Sequence, residues 1–201
     1  MFRALRKLLR SPLVPERLWG LPLTPIAQLA GDGFARVRGK LRAVETMTAP
    51  LSGRECLAYD VRVTQLFLLR WQLVSERASV PLCFLDDPTG TLLVELPGVV
   101  LMKRDWRQWA VGTNDPPASA ASLLARHGHT EPELWQSYSL QYVETPLFPG
   151  EEVTVAGQVA EIADPTGGAS TEDFRAPPMR PVIRAAGRIS LVVSDEDWRL
   201  G

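Results

Sequence analysis

The sequence predicts a mainly β protein built on a small, strongly curved sheet, and three observations predict it. Apolar and polar residues alternate over runs of strand length. The clearest is Phe34 to Val44, where Val37 and Leu41 alternate with basic residues, the period of a half-buried strand. A glycine then interrupts the middle of three such runs, at Gly39, Gly157 and Gly187, and a mid-strand glycine marks a bulge or a bend at a barrel corner. Finally, Asp86-Asp87-Pro88-Thr89-Gly90 separates two apolar runs with the chemistry of a hairpin loop.

The chain has 201 residues, 45% hydrophobic and 22% charged, with a net charge of −1. That is ordinary globular composition and enough chain to bury a core without staples. The charge does not advertise nucleic acid or an anionic surface. Cys56 and Cys83 lie in apolar runs without a C-x-x-C spacing, so they read as buried thiols rather than zinc ligands, redox groups or a disulfide. No apolar run reaches the roughly 18 residues that a membrane-spanning helix needs. The basic N-terminus lacks the apolar stretch and cleavage site of a secretory signal, so the expected location is cytoplasmic.

In chain order, residues 1–10 form a short basic amphipathic helix. Phe2, Leu5, Leu8 and Leu9 share one face, and Arg3, Arg6, Lys7 and Arg10 the other. This is the composition of an interfacial anchor, so the candidate membrane-surface residues are Phe2, Arg3, Leu5, Arg6, Lys7, Leu9 and Arg10. Four prolines between Ser11 and Pro25 forbid a regular helix. That extended segment is expected to bury Leu13, Val14, Leu18, Trp19, Leu21 and Leu23 against the domain. One helical turn is expected at Ile26 to Ala30, stopped by Gly31-Asp32-Gly33.

After the strand Phe34 to Val44 comes a turn at Ala49 to Gly53 and a strand from Glu55 to Phe67. The next strand holds Trp71, Leu73 and Val74, and a polar turn follows at Glu76 to Ser79. Pro81 to Leu85 and Leu92 to Leu96 flank the hairpin loop, and Val99 to Met102 adds a short strand. Residues 103–142 break the β rhythm. Asp105 to Trp109 reads as a helical turn, and Ser119 to His127 as a helix ended by Gly128. Thr130-Glu131-Pro132-Glu133 is a capping box opening a helix to about Tyr138. Strands return at Leu140 to Thr145 and Val153 to Ile162. Asp164 to Pro178 is a Gly- and Pro-rich loop, and Val182 to Val193 is the last strand.

Few residues carry chemistry. Asp86 and Asp87 are neighbours on a strand and face opposite ways, so they cap the turn rather than act as an acid–base pair. His127 and His129 flank Gly128 and read as surface groups at a helix end rather than metal ligands. Ser52 has no nucleophile-elbow pattern, and Gly167-Gly168 has no phosphate-loop lysine. No catalytic residue, metal site or cofactor is expected. Arg36, Arg38, Lys40 and Arg42 line one face of the first strand. Such a face would track a phosphate backbone in a nucleic-acid binder, although the aromatic platform such a site uses is not on the same strand. Trp106 and Trp109, at i and i+3, are the candidate partner-binding anchors, because tryptophan is favoured at interface hot spots.

The segments Ala49-Pro50-Leu51-Ser52-Gly53-Arg54-Glu55-Cys56 and Phe84-Leu85-Asp86-Asp87-Pro88-Thr89-Gly90 carry a resemblance. With them go Val37-Arg38-Gly39, the lone Trp71, Glu144-Thr145-Pro146-Leu147 and Pro149-Gly150-Glu151-Glu152-Val153. Over residues 34–162 the chain resembles the GIDE domain, also called the BAM ("beside a membrane") domain. The resemblance implies an OB-like β-barrel without catalytic residues, used for interaction. Typical members carry membrane-spanning helices, and one carries a RING; this sequence shows neither, which removes ubiquitin-ligase activity from the expectation.

Together these readings give a mainly β fold, an OB-like small β-barrel of five or six strands with short helical insertions. Residues 1–30 are an N-terminal helix and Pro-rich segment, and 31–201 are the barrel with an insertion at about 103–142. The expected function is a non-enzymatic module that binds a protein partner, peripheral to a membrane through its N-terminus. The alternative is a nucleic-acid binder using the basic strand face.

Overall fold

The computed structural model describes residues 18, 20–29, 31–66, 70–103, 107–111, 118–129, 139–163, 179–187 and 190–195. The expected N-terminal helix, the helix after Thr130 and the loop 164–178 lie outside the described residues. In chain order the strands are β1 (Gly33–Ala43), β2 (Met47–Thr48), β3 (Glu55–Cys56), β4 (Ala58–Leu66), β5 (Arg70–Ser79), β6 (Leu82–Asp87) and β7 (Gly90–Glu95). There follow β8 (Val100–Met102), β9 (Arg107–Val111), β10 (Ser139–Leu147), β11 (Glu152–Ala163), β12 (Met179–Arg184) and β13 (Val192–Ser194). A helix, α1 (Ala118–Arg126), and a 3-10 turn at Ile26–Gln28 complete the described elements.

The chain divides into two compact units, Met1–Val44 with Pro81–Met102 and Gly150–Gly201, and Glu45–Val80 with Lys103–Pro149. This departs from the expectation of one barrel over 31–201 with an insertion at 103–142. The residues between β1 and β6, expected to be barrel strands, form the second unit together with the 103–149 stretch. Strand periodicity reports that a segment is a half-buried strand and does not report which sheet it joins.

In the first unit the sheet order β1-β6-β7-β12-β11 closes on itself through pairing of β1 with β11. Counting only these strands along the chain, the order is 1-2-3-5-4-1, with the third and fifth parallel. The fold is mainly β with a closed five-stranded, OB-like barrel, as the sequence predicts. Inward residues meet as cross-strand partners: Leu41 with Leu85, Leu85 with Leu92, Val94 with Ile183, and Val37 with Val155. All are buried. Gly39 and Gly157 sit where a neighbouring strand comes close. A Cβ on Gly39 would lie 2.6 Å from the Asp86 carbonyl oxygen, and one on Gly157 would lie 2.8 Å from that of Arg184. Gly187 differs. The expected last strand is split into β12 and β13, both on β11, with Gly187 at φ +57° between them. That left-handed backbone suits glycine and ends the first stretch of pairing.

The Pro-rich segment packs on this unit in part. Leu18 is buried with Ala156 and Val192, and Leu21 is packed against them. Leu23, expected to be buried, is instead 46% exposed. It forms a parallel bridge to Arg36, and the Thr24 N–H donates to the Arg36 carbonyl at 2.8 Å.

The second unit is a four-stranded sheet, β5-β4-β10-β9, with the β2–β3 ribbon. Ala120, Leu123 and Leu124 of α1 share a core with Val61, Val63, Leu140 and Tyr142. The helix ends in Gly128 at φ +80°, with the His129 N–H donating to the Leu124 carbonyl. Two local expectations fail here. Glu76 to Ser79 is strand rather than turn, because β5 stays paired with β4 as far as Ser79 opposite Ala58. Trp109 belongs to strand β9, opposite Tyr142, rather than to a helical turn. In both stretches sheet pairing overrides the local pattern.

Candidate functional site

The outer face of β1 gathers the features with binding chemistry. Direct cross-strand partners share a face, so Phe34, Arg36, Arg38, Lys40 and Arg42 project outward with Gln158, Ala156, Thr154 and Glu152 of β11 and with Asp86 and Phe84 of β6. The four basic residues are brought to one face, but they are not equivalent. Arg38 Nε donates to Glu152 at 2.9 Å. Arg42 donates through Nε and Nη2 to both oxygens of Asp86, at 2.8 and 3.2 Å. Its guanidinium also stacks 4.3 Å from the Phe84 ring centre. The hydrogen bond to Asp86 raises the Arg42 pKa, and the reciprocal bond holds the Asp86 carboxyl below the usual carboxylate range. Lys40 stands exposed, opposite Glu152 and Asp86 in the register.

Arg36 is different. Only 8% of it is exposed, and its Nε has no hydrogen-bond partner. The bridge to Leu23 covers the β1 edge beside it. Leu23 and Phe34 (46% and 43% exposed) are two of the exposed large apolar residues of the barrel unit. The aromatic residue that a single strand could not show is Phe84 on β6. It is buried beneath Arg42, with Arg180 also over its ring.

The hairpin loop is built as expected. Asp87 accepts from the Thr89 and Gly90 N–H groups and, unforeseen, from the Ile26 N–H at 2.8 Å, which fixes the 3-10 turn to the hairpin. Burial opposes ionisation of Asp87, yet the Thr89 hydroxyl, which also donates to it, and these N–H groups leave its pKa lowered.

The second unit holds clusters that the sequence reading missed. Glu144 on β10 is fully buried and accepts from the Leu51 and Ser52 N–H groups. Its signal was the run Leu140, Tyr142, Glu144, which places a carboxylate on an otherwise apolar strand face. Glu76 accepts from the Tyr59 hydroxyl at 2.6 Å and from Arg126 Nη2, and His127 Nε2 lies 2.8 Å from its other oxygen. His129 Nε2 lies 3.2 Å from the Leu73 carbonyl oxygen. The two histidines therefore tie the end of α1 to β5. Burial, with the bond to Glu76, raises the Tyr59 pKa to about 12, so that phenol stays protonated. Asp60 is buried and takes both Arg62 and Arg77.

Trp106 and the N-terminal residues Phe2, Arg3, Leu5, Arg6, Lys7, Leu9 and Arg10 lie outside the described residues. Among the described residues, no group of three or more His, Cys, Asp or Glu side chains is placed to hold a metal ion. Also among them, no helix is long and apolar enough to cross a membrane. Comparison of the chain with protein-family models, characterised proteins and solved structures finds no significant match to any of them.

Proposed function

We propose that this chain is a non-catalytic interaction module of the GIDE type, which binds a protein partner through the outer face of β1. The observation that carries this reading is the division of labour on that face. Its cations Arg38 and Arg42 are matched by Glu152 and Asp86, while Leu23 and Phe34 are left apolar and exposed beside them. A matched, partly apolar surface suits a protein partner, whose interfaces are depleted of unpaired charge at their centre. The OB-like barrel, which is the fold the resemblance implies, supports the same reading. So do the carboxylates: buried Glu144 and Asp60 and half-buried Asp87 are occupied in holding loops and strands rather than facing one another.

A peripheral membrane contact through residues 1–10 is part of the proposal and rests on the amphipathic sequence. The nucleic-acid reading gains little support. Two of its four cations are internally paired, and the nearby ring of Phe84 is buried.

The test replaces Phe34 in the full chain with a photo-crosslinking phenylalanine. The expected result is a discrete protein adduct from cell extract that Leu23→Asp abolishes. Salt-sensitive capture of nucleic acid with no protein adduct would overturn the reading in favour of the alternative.

A further inference from the structure

Among the described residues, three charged side chains are buried: Asp60, Glu144 and Arg36. Asp60 is answered by two arginines, and Glu144 by two backbone N–H groups. Arg36 alone lacks an answering group, its Nε–H buried without an acceptor. Its cross-strand partner on β11 is Ala156, and on its other side is Leu23, so neither neighbour offers a carboxylate. Glu152 and Asp86, which share its face of the sheet, are committed to Arg38 and Arg42. A buried charge of this kind is costly unless paired, and folding alone does not pair it here.

We propose that Arg36 anchors a site for an acidic–apolar segment of a partner protein. One carboxylate accepts from the Arg36 guanidinium through Nε–H, and the apolar residues flanking it pack on Leu23 and Phe34. The inference rests on the protein-binding reading and names the chemistry recognised. A guanidinium edge is matched to a carboxylate, and both apolar residues adjoin it: Leu23 is the bridge partner of Arg36, and Phe34 lies two positions before it on the same face. A single acid suits the site better than a polyanion, because the next cation along the strand, Arg38, is already paired with Glu152. Leu23 is lightly held beside Arg36. Leu23 is held by one bridge and the adjoining Thr24 hydrogen bond, and Pro22 and Pro25 on either side offer no N–H to hold it further. Displacing this segment opens the β1 edge beside Arg36, where the carboxylate would enter.

The test follows the arginine Nε–Hε resonances and backbone amides of the full chain by NMR. The Arg36 signal is assigned by its loss in Arg36→Lys. The probe is the blocked tripeptide acetyl-Leu-Asp-Phe-amide, compared with its Asn analogue and with inorganic phosphate. The expected result is saturable movement of the Arg36 Nε–Hε signal and of the Leu23 and Phe34 amides with the Asp peptide. The Asn peptide should bind about tenfold more weakly or worse, and Arg36→Gln should abolish the response, with Arg36→Lys as a folded control if the glutamine variant misfolds. An unmoved Arg36 signal, equal response to the Asn peptide, or tighter saturation by phosphate would each overturn the proposal. In the Phe34 crosslinking assay, a partner captured equally by wild type and Arg36→Gln would leave the protein-binding reading standing and sink this inference. Capture by neither would sink the reading itself.

Discussion

Glu144 accepts the backbone N–H of Leu51 at 2.7 Å from a fully buried position on β10, more than ninety residues away in the chain. Its second oxygen takes the Ser52 N–H at 3.1 Å. The loop is closed on itself as well, by Ala49 and Arg54 and by Gly53 back to Ala49, with Gly53 at φ +67°. Arg54 then stacks 3.8 Å from the Phe148 ring centre. The Pro50–Arg54 segment is thus a docked loop, with the Leu51 and Ser52 amides satisfied by one carboxylate.

Replacing that carboxylate should loosen the loop and the second unit with it. Glu144→Gln keeps the shape but sets an amide group where an acceptor is needed, and should cost about 2 kcal/mol; Glu144→Ala leaves both N–H groups without partners and should cost about 3 kcal/mol. The denaturant midpoint reads the loss, and faster hydrogen exchange at Leu51 and Ser52 locates it. An unchanged midpoint and unchanged exchange would show that Glu144 is dispensable.

The two barrel glycines make a separate prediction. Gly39→Ala and Gly157→Ala each place a methyl against a backbone oxygen, at 2.6 and 2.8 Å, and neither oxygen can move without breaking its strand. Each should lose about 2 kcal/mol or more by overpacking. Gly33→Ala is the control, since nothing lies within 4 Å of its Cβ position and its φ is not in the left-handed region. It should be neutral or slightly stabilising. Thermal melts of the three variants decide the matter, and equal shifts in all three would contradict a close-packed corner.

Acid should weaken the attachment of α1 to its sheet. Burial opposes ionisation of Glu76, but hydrogen bonds from Tyr59 and His127 and the contact with Arg126 outweigh it, so its folded pKa is lowered. A lowered carboxylate contributes stability above its unfolded pKa, about 4.3. That stability fades as pH falls below this value and through the folded pKa. Protection of the α1 amides against exchange, relative to the unstructured chain at the same pH, should therefore fall on acidification below about pH 4.3. Glu76→Gln should lower that protection at neutral pH and make it less dependent on pH. A wild-type profile no steeper than that of the variant would remove Glu76 from the account.

What the sequence made legible follows the physics of each signal. β1, β11 and the β6–β7 hairpin were readable because period-two alternation and the Asp87-to-Gly90 turn chemistry are local. Helix α1 was readable from Gly128 at its end. Glu76 to Ser79 misled because its polar residues sit on a strand whose charges are answered across it: Glu76 by Tyr59, and Arg77 by Asp60. The four cations of β1 looked alike because alternation shows a face and not what lies over it. Arg36 is buried, and its strand edge is met by Leu23, thirteen positions earlier, through a single bridge. Likewise, Phe84 became visible beside the basic face only once β6 was laid against β1.

The two thiols report separately on the two units. Cys56 in the second unit and Cys83 in the barrel are both free and buried. Burial, aided by the charge of Glu144, pushes the Cys56 thiol up to about 11, and burial alone pushes Cys83 up to about 12. The thiolate is the reactive form, so at neutral pH the folded protein should resist iodoacetamide at both positions and react at both when denatured. Any slow native labelling then measures local opening. Glu144→Gln should speed labelling of Cys56, whose unit it loosens, and leave Cys83 at the wild-type rate. Gly157→Ala should do the reverse. Mass spectrometry of the two cysteine peptides over a labelling time course reads both rates in one sample. If both variants accelerate both cysteines equally, opening is global, and the two units do not unfold as separate cooperative bodies.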